Sequence, residues 1–271
     1  MKDPVPVSST TTTTSTTMEF SVDMTCYKCE RKVSAALQKE GISDYTIDIA
    51  NQKVVVVTDR TSDVIKNAVE STGKLAVLVG SGNMGAAVAM VGKEGDYFSS
   101  GPKGVVRLTQ VDSEQCVIEG TIDGLSPGQH GLAIHEAGDT SMGCASLGGH
   151  YNPRGTRHGS PVNDQDQRHV GDLGNVVANK EGRAKFRLVD SLVKVWDVIG
   201  RSVVVSSGPD DLGTGPTLAS IDTGNCGEGV ACGVIARSAG LGQNDKKICA
   251  CDGVTIWEER DKPLVGEGRR A

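Results

Sequence analysis

Aromatic side chains are scarce in this sequence: two Trp, four Tyr and three Phe stand among 271 residues, against 35 glycines. A chain so poor in large apolar side chains and so rich in glycine reads as a turn-punctuated fold rather than a helical bundle. Positive charge is also short. Lys and Arg number 28 against 34 Asp and Glu, and the net charge of −6 speaks against nucleic acid as the main partner. No apolar run approaches the roughly 20 residues that a membrane helix needs. None follows a basic start as in a signal peptide. The expectation is a soluble, non-secreted protein without membrane insertion, long enough for two domains.

The eight cysteines lack the even scatter of a secreted disulfide scaffold. Four fall in tight pairs, Cys26 with Cys29 and Cys249 with Cys251, leaving Cys116, Cys144, Cys226 and Cys232. In a chain expected to be cytosolic, close pairs read as metal or redox sites.

Four segments follow from the pattern along the chain. Residues 1–17 end in SSTTTTTSTT, which cannot bury a core, so a disordered leader is expected; it has no arginine, unlike a transit peptide. Residues 18–81 alternate between the two periods of regular structure. EFSVDM reads as a strand, and a helix follows with Val33, Ala36 and Leu37 on one face. YTIDIA and KVVVVT are strands joined by a turn at Asn51–Gln52. A second helix opens near Thr61 with Val64, Ile65, Ala68 and Val69 inward and Gly73 as its cap, before the strand LAVLVG. This is a βαββαβ, ferredoxin-like α+β domain. Past the glycine-rich join Gly80–Gly85, residues 82–239 carry seven β-type runs: AAVAMV, GVVRLTQV, CVIEGTIDGL, HGLAIHE, GRAKFRLV, GRSVVVS and CGVIAR. They imply an all-β barrel or sandwich with one long loop over roughly residues 137–180. Residues 240–271 are polar and glycine-rich, and are expected to form a flexible tail.

Two sites stand out. MTCYKC places Cys26 and Cys29 where the first strand meets the first helix. There the helix N-terminus and Lys28 favour thiolates, and two soft thiolates suit Cu(I). A redox or structural pair is the competing reading, and Met24 is expected to brace the loop from the core. In its βαββαβ setting this motif resembles the heavy-metal-associated domain of copper chaperones and copper-pumping ATPases. Further on, all five histidines lie between residues 130 and 169. His150, His158, His169 and Asp172 supply three imidazoles and a carboxylate, the donor set of a closed tetrahedral Zn(2+) site that would order a long loop.

HGLAIHEAGD, GGHYNP, RHVGDLGNV, GRSVVV, DDLG and ACGVI together resemble copper/zinc superoxide dismutase. That resemblance implies an eight-stranded Greek-key barrel and a disulfide between Cys144 and Cys232. It further implies support of the metal-bound histidines by Asp210, a structural role for His130, and His135 as a former copper ligand. The departures matter more. Ala133 and Ser206 stand where the family has copper-binding histidines, and Gly229 replaces its substrate-guiding arginine. Dismutation needs a redox-cycling copper in an imidazole cage, so no such activity is expected.

The tail motif KKICACDGVTIWEER, with IARSAGL before it, resembles the C-terminal segment of the copper chaperones for superoxide dismutase. A CxC pair is too cramped for an easy internal disulfide, but it can bind Cu(I) or attack a disulfide elsewhere. The resemblance implies a metallochaperone, not an enzyme. Cys26 and Cys29 would capture Cu(I), received from a donor such as a membrane copper transporter. Cys249 and Cys251 would transfer it and form the target's disulfide. The barrel would dock on a dismutase subunit through Gly138, Ile199 and Gly200, exchanging homodimer for heterodimer. The implied location is the cytoplasm, with the mitochondrial intermembrane space as a second. The competing readings are a dismutase with a tethered copper feeder and a zinc-stabilised binding module with no transfer role.

Overall fold

A computed structural model of the chain describes residues 14–162 and 167–244; Cys249 and Cys251 therefore lie outside the described residues. The first domain runs β1 (Thr16–Val22), α1 (Tyr27–Lys39), β2 (Tyr45–Asp48), β3 (Lys53–Thr58), α2 (Ser62–Glu70) and β4 (Ala76–Ser81). Its antiparallel sheet has the order β2-β3-β1-β4, the expected ferredoxin-like arrangement. Local pattern accounts for it. KVVVVT buries Val54 and Val56 and leaves alternate residues half-exposed, as a one-sided sheet requires. In α1, Cys29, Val33 and Leu37 recur every fourth residue on the buried face, and in α2 Ile65, Ala68 and Val69 share one face at i, i+3 and i+4. Both helices cover Phe20, Val22 and Met24. The β2–β3 turn places Gln52 at φ 55°, and Gly73 (φ 82°) reverses the chain two residues after the α2 cap Ser71.

The boundary with the leader falls earlier than expected. Strand pairing begins at Thr16, opposite Thr58, inside the stretch 1–17. β-branched threonine favours extended backbone, and β3 offers it partners. Thr14 already touches the second domain: its hydroxyl donates to Gln115 and its carbonyl accepts from Arg187 Nη2.

The second domain is a closed barrel of eight strands: β5 (Ala86–Gly92), β6 (Lys103–Gln110), β7 (Cys116–Asp123), β8 (Gly128–His135), β9 (Asp172–Ala178), β10 (Ala184–Asp190), β11 (Ser202–Ser206) and β12 (Gly229–Ser238). The order around the barrel is β10-β7-β6-β5-β12-β11-β8-β9. The β7–β8 and β10–β11 connections link strands that are not neighbours, the Greek-key signature, and closure leaves no free sheet edge. Leu108, Ile118, Leu132, Ile134, Val203, Val205 and Ile235 fill the interior.

Seven runs had been legible and eight strands exist. The eighth, β9, lies inside the stretch 137–180 expected to be loop. Its sequence DLGNVVA opens on an acidic residue and carries Gly174 at φ 76°, and its pairing with β8 shifts register between Gly131 and Ala133. A strand broken in this way shows no clean alternation. The connection between β8 and β9 therefore runs over 136–171, and it holds His150, His158 and His169.

The two domains meet along a polar seam. Glu119 on β7 accepts a hydrogen bond from Ser62 N at the start of α2 (3.0 Å), and Thr121 Oγ1 donates to Asp63 (2.7 Å). The tail expected from residue 240 also begins in contact: Leu241 N donates to Gly82 O at 3.2 Å. In its described part, Gly240 passes close to Gly80 and Gly242 N donates to Glu19 of the first domain, while Gln243 stands near Val195, Trp196 and Ile199 of the second.

Candidate metal centres

Cys26 is the N-cap of α1 and Cys29 sits in its first turn, with the two sulfurs 3.2 Å apart. Cys26 is exposed and Cys29 is buried, with Met24 packed in the core beneath. The Cys29 thiol is lowered to about 6, first by a backbone hydrogen bond at Thr25 and then by Cys26. The charge that helps is Lys74, from the turn before β4, rather than the expected Lys28. One half-hidden thiolate beside one open thiol suits a soft ion that must be both held and released. Below its pKa the Cys29 thiolate takes up a proton, which then competes with the metal. Cu(I) affinity measured against a chelator should therefore fall steeply as pH drops through about 6; a flat profile between pH 5 and 8 would contradict the lowered thiol.

In the long loop, His150, His158, His169 and Asp172 are all buried, with ligand atoms within 4.8 Å of one another. Three Nδ1 atoms converge on a single oxygen, Asp172 Oδ1, at 2.7 Å (His150), 2.9 Å (His158) and 3.2 Å (His169). One carboxylate oxygen cannot satisfy three donors, and Nδ1 of both His158 and His169 lacks any well-aligned partner. Orphaned nitrogens aimed at one centre fit a tetrahedral dication. Burial alone would raise Asp172, but the three imidazoles outweigh it and hold the carboxyl far below the usual range. Burial would likewise lower His158, yet Asp172 and Asp210 raise it to about 9. The outer contacts orient the rings: Asp210 meets His158 Nε2 at 2.7 Å, and Thr156 O meets His169 Nε2 at 3.1 Å.

Arg168 was not legible as part of this site. Among the described residues it is the largest fully buried side chain; it donates to the carbonyls of His169, Val170 and Asp172, and pairs with Asp190 at the end of β10. Buried arginine is rare, and its only sequence signal is its place next to a ligand.

Cys144 and Cys232 form a disulfide with Cα atoms 5.8 Å apart, tying β12 to the short 3-10 turn Gly143–Ser146. Its closed loop spans 88 residues, for which chain entropy alone would contribute about 4–5 kcal/mol. Where a dismutase holds copper, the chemistry is gone. Ala133 is buried and apolar, and Ser206 Oγ is engaged by Cys226 Sγ at 3.1 Å. His130 is tied to the backbone at Ser206 O (2.7 Å) and Ser126 O (2.8 Å), and so serves the scaffold. His135 faces His150 across 5.0 Å, and burial lowers it to about 4.

Residues 19–74 match the heavy-metal-associated domain family, and residues 102–235 match copper/zinc superoxide dismutase. Over almost the whole chain the similarity is to proteins that combine both. The "Copper chaperone for superoxide dismutase" of Sus scrofa is 54% identical over 260 residues, covering 93% of this chain and 92% of that protein. Its Homo sapiens counterpart is 51% identical over 260 residues, with 94% and 92% covered. The chain belongs to the copper chaperone for superoxide dismutase family. This family comprises metallochaperones, not enzymes. A plant member, from Arabidopsis thaliana, is 40% identical over 253 residues, covering 91% of this chain and 71% of that protein. Among solved structures, the clock protein EA4 superposes with a TM-score of 0.51 at 40% identity, over 56% of this chain and 94% of that one.

For a copper chaperone of this family the lost cage has a direct consequence. The unaltered protein should show no dismutation above free copper in a superoxide assay, even fully metallated. Ala133→His with Ser206→His should recover a small fraction. Adding Gly229→Arg, which would restore the guiding charge, meets a steric obstacle. A Cβ at 229 would sit 2.8 Å from Val204 Cγ1 and 2.9 Å from Cys144 Cβ. The arginine should lower the melting temperature instead.

Proposed function

We propose that this chaperone captures Cu(I) at Cys26 and Cys29, docks on a Cu/Zn superoxide dismutase subunit, and delivers the ion through Cys249 and Cys251. The observation that carries the reading is the barrel itself. It keeps the dismutase architecture and the histidine cluster, while the copper cage is dismantled and a thiol pair stands on a separate domain. A fold conserved without its catalytic metal is suited to recognition. Zn(2+) held by His150, His158, His169 and Asp172 would supply charge neutralisation and loop rigidity, and no chemistry.

Docking uses the face where Gly138, Ile199 and Gly200 lie together. A Cβ at Gly138 would collide with Gly200 O and approach Val234 Cγ1 at 3.2 Å, while Gly200 holds φ 85°. The two glycines let β8 and the β11 entry close up, and the half-buried Ile199 stands beside the exposed Trp196 and Met84. Such a self-complementary patch serves a homodimer in the absence of target and a heterodimer in its presence. Copper comes from a donor such as a membrane transporter, in the cytoplasm and the mitochondrial intermembrane space.

The second output is the target's internal disulfide. Dioxygen and water first convert a tail thiol to a sulfenic acid and leave hydrogen peroxide. One target thiol displaces water to give a mixed disulfide, and the second target thiol displaces the tail thiol, so that two target thiols have given two electrons and two protons to dioxygen. The test mixes copper-loaded protein with zinc-only, disulfide-reduced dismutase and follows superoxide-dismutase activity. Activation beyond that by an equal amount of chelated Cu(I) supports the reading; none defeats it.

A further inference from the structure

β12 ends at Ser238, but the chain that follows does not run free. Ser81 N donates to Ala239 O at 3.1 Å and Leu241 N to Gly82 O at 3.2 Å, continuing the end of β4. Gly80 and Gly240 pass so closely that a Cβ at Gly80 would strike Gly240 O. Gln243 N and Gly240 O close a turn at 3.2 Å, with Gly242 at φ 65°. The Gly242 N–H then donates to Glu19 Oε2 at 2.7 Å.

Glu19 stands on β1 with a side chain only 4% exposed, and its other oxygen is 2.8 Å from Lys53 Nζ on β3. A carboxylate so buried is costly unless its oxygens are engaged, and charge-assisted bonds are the strong ones. Lys53 stands beside one oxygen as an ion pair without an aligned hydrogen bond, and the tail donates a hydrogen bond to the other. The first domain therefore carries a buried anion whose second partner comes from residue 242, far along the chain.

We infer that Glu19 is a positioning residue of the copper relay. It anchors residues 240–242, the root of the chain that leads to Cys249 and Cys251, to the copper-capturing domain, so the tether to the tail thiols starts no earlier than Gly242 rather than at the barrel's last strand residue. This rests on the tail's proposed role in delivery. Seven residue steps lead from Gly242 to Cys249, a maximal span of about 24 Å; from Ser238 the maximal span would be about 38 Å. Shortening the tether this way raises the local concentration of the tail thiols near the first domain about two- to fourfold.

The test uses the full chain. Glu19→Thr keeps a strand-favouring residue but removes the acceptor, Glu19→Gln keeps an acceptor oxygen, and Leu241→Pro attacks the same anchorage from the tail side. Amide hydrogen exchange reads the root, a chelator titration reads Cu(I) at Cys26 and Cys29, and dismutase activation at limiting copper reads the relay. Expected for Glu19→Thr and Leu241→Pro is at least tenfold faster exchange at 241 and 242. Exchange in β3 and copper retention should not change, and activation should slow two- to fourfold, with Glu19→Gln close to the unaltered protein. If Glu19→Thr does not fold, Leu241→Pro alone decides. Unchanged exchange at 241 and 242 overturns the anchorage. Faster exchange with unchanged activation overturns the positioning role. The delivery reading fails by a different sign: a Cys249→Ser/Cys251→Ser protein that activates normally.

Discussion

Replacing Cys249 and Cys251 together with Ser is expected to abolish target activation at every copper concentration, while docking stays intact. A serine hydroxyl stays protonated at neutral pH and is a hard ligand. It can neither hold Cu(I) nor attack a disulfide sulfur. A hydroxyl also cannot be oxidised to the sulfur species that a target thiol attacks, so copper transfer and disulfide formation both stop. The contrast is with Cys26→Ser/Cys29→Ser, whose loss concerns capture. That protein should fail when copper is scarce and recover as copper is added. Activation followed across a copper titration separates the two, with a nonreducing gel to find the covalent intermediate. Normal activation by the tail variant, or its rescue by copper, would reverse the assigned roles.

His158→Ala should have the largest effect on stability. Its ring meets Asp172 on one side and Asp210 on the other, at 2.9 and 2.7 Å, so removal strips a ligand and leaves two buried carboxylates underpaired. Breaking a buried charged pair typically costs about 3–5 kcal/mol, which corresponds to a fall in melting temperature on the order of 10 °C for a chain of this size. Zinc content should drop from about one per chain to well below it, and hydrogen exchange should quicken through the 136–171 loop. Asp172→Ala should do the same. A variant that melts with the unaltered protein and keeps its zinc would remove the cluster from the account. Arg168→Met is a useful comparison, because it leaves every ligand in place while cutting the loop's tie to Asp190. It should loosen the loop with less loss of metal.

Much of this protein was legible from local chemistry. The faces of α1, α2 and β3 repeat with the period of the element that bears them, so the βαββαβ order needs no knowledge of what lies opposite. Thiols and imidazoles are also identifiable singly, because the capacity to bind a soft or a borderline ion resides in the side chain. Absent ligands at Ala133 and Ser206 are legible only against the dismutase pattern that the surrounding motifs resemble. Other features depend on partners distant in sequence. β9 is not legible locally because its one-residue register shift and Gly174 are stabilised by β8, not by its own alternation. Three nitrogens aimed at one oxygen of Asp172, and Arg168 buried beneath them, exist only once the loop is wrapped on the barrel. Glu19 and Glu119 look like ordinary surface residues of strands. Burying either carboxylate is favourable only where another part of the chain brings a backbone N–H to it, and it is tertiary structure that delivers those donors from Gly242 and Ser62.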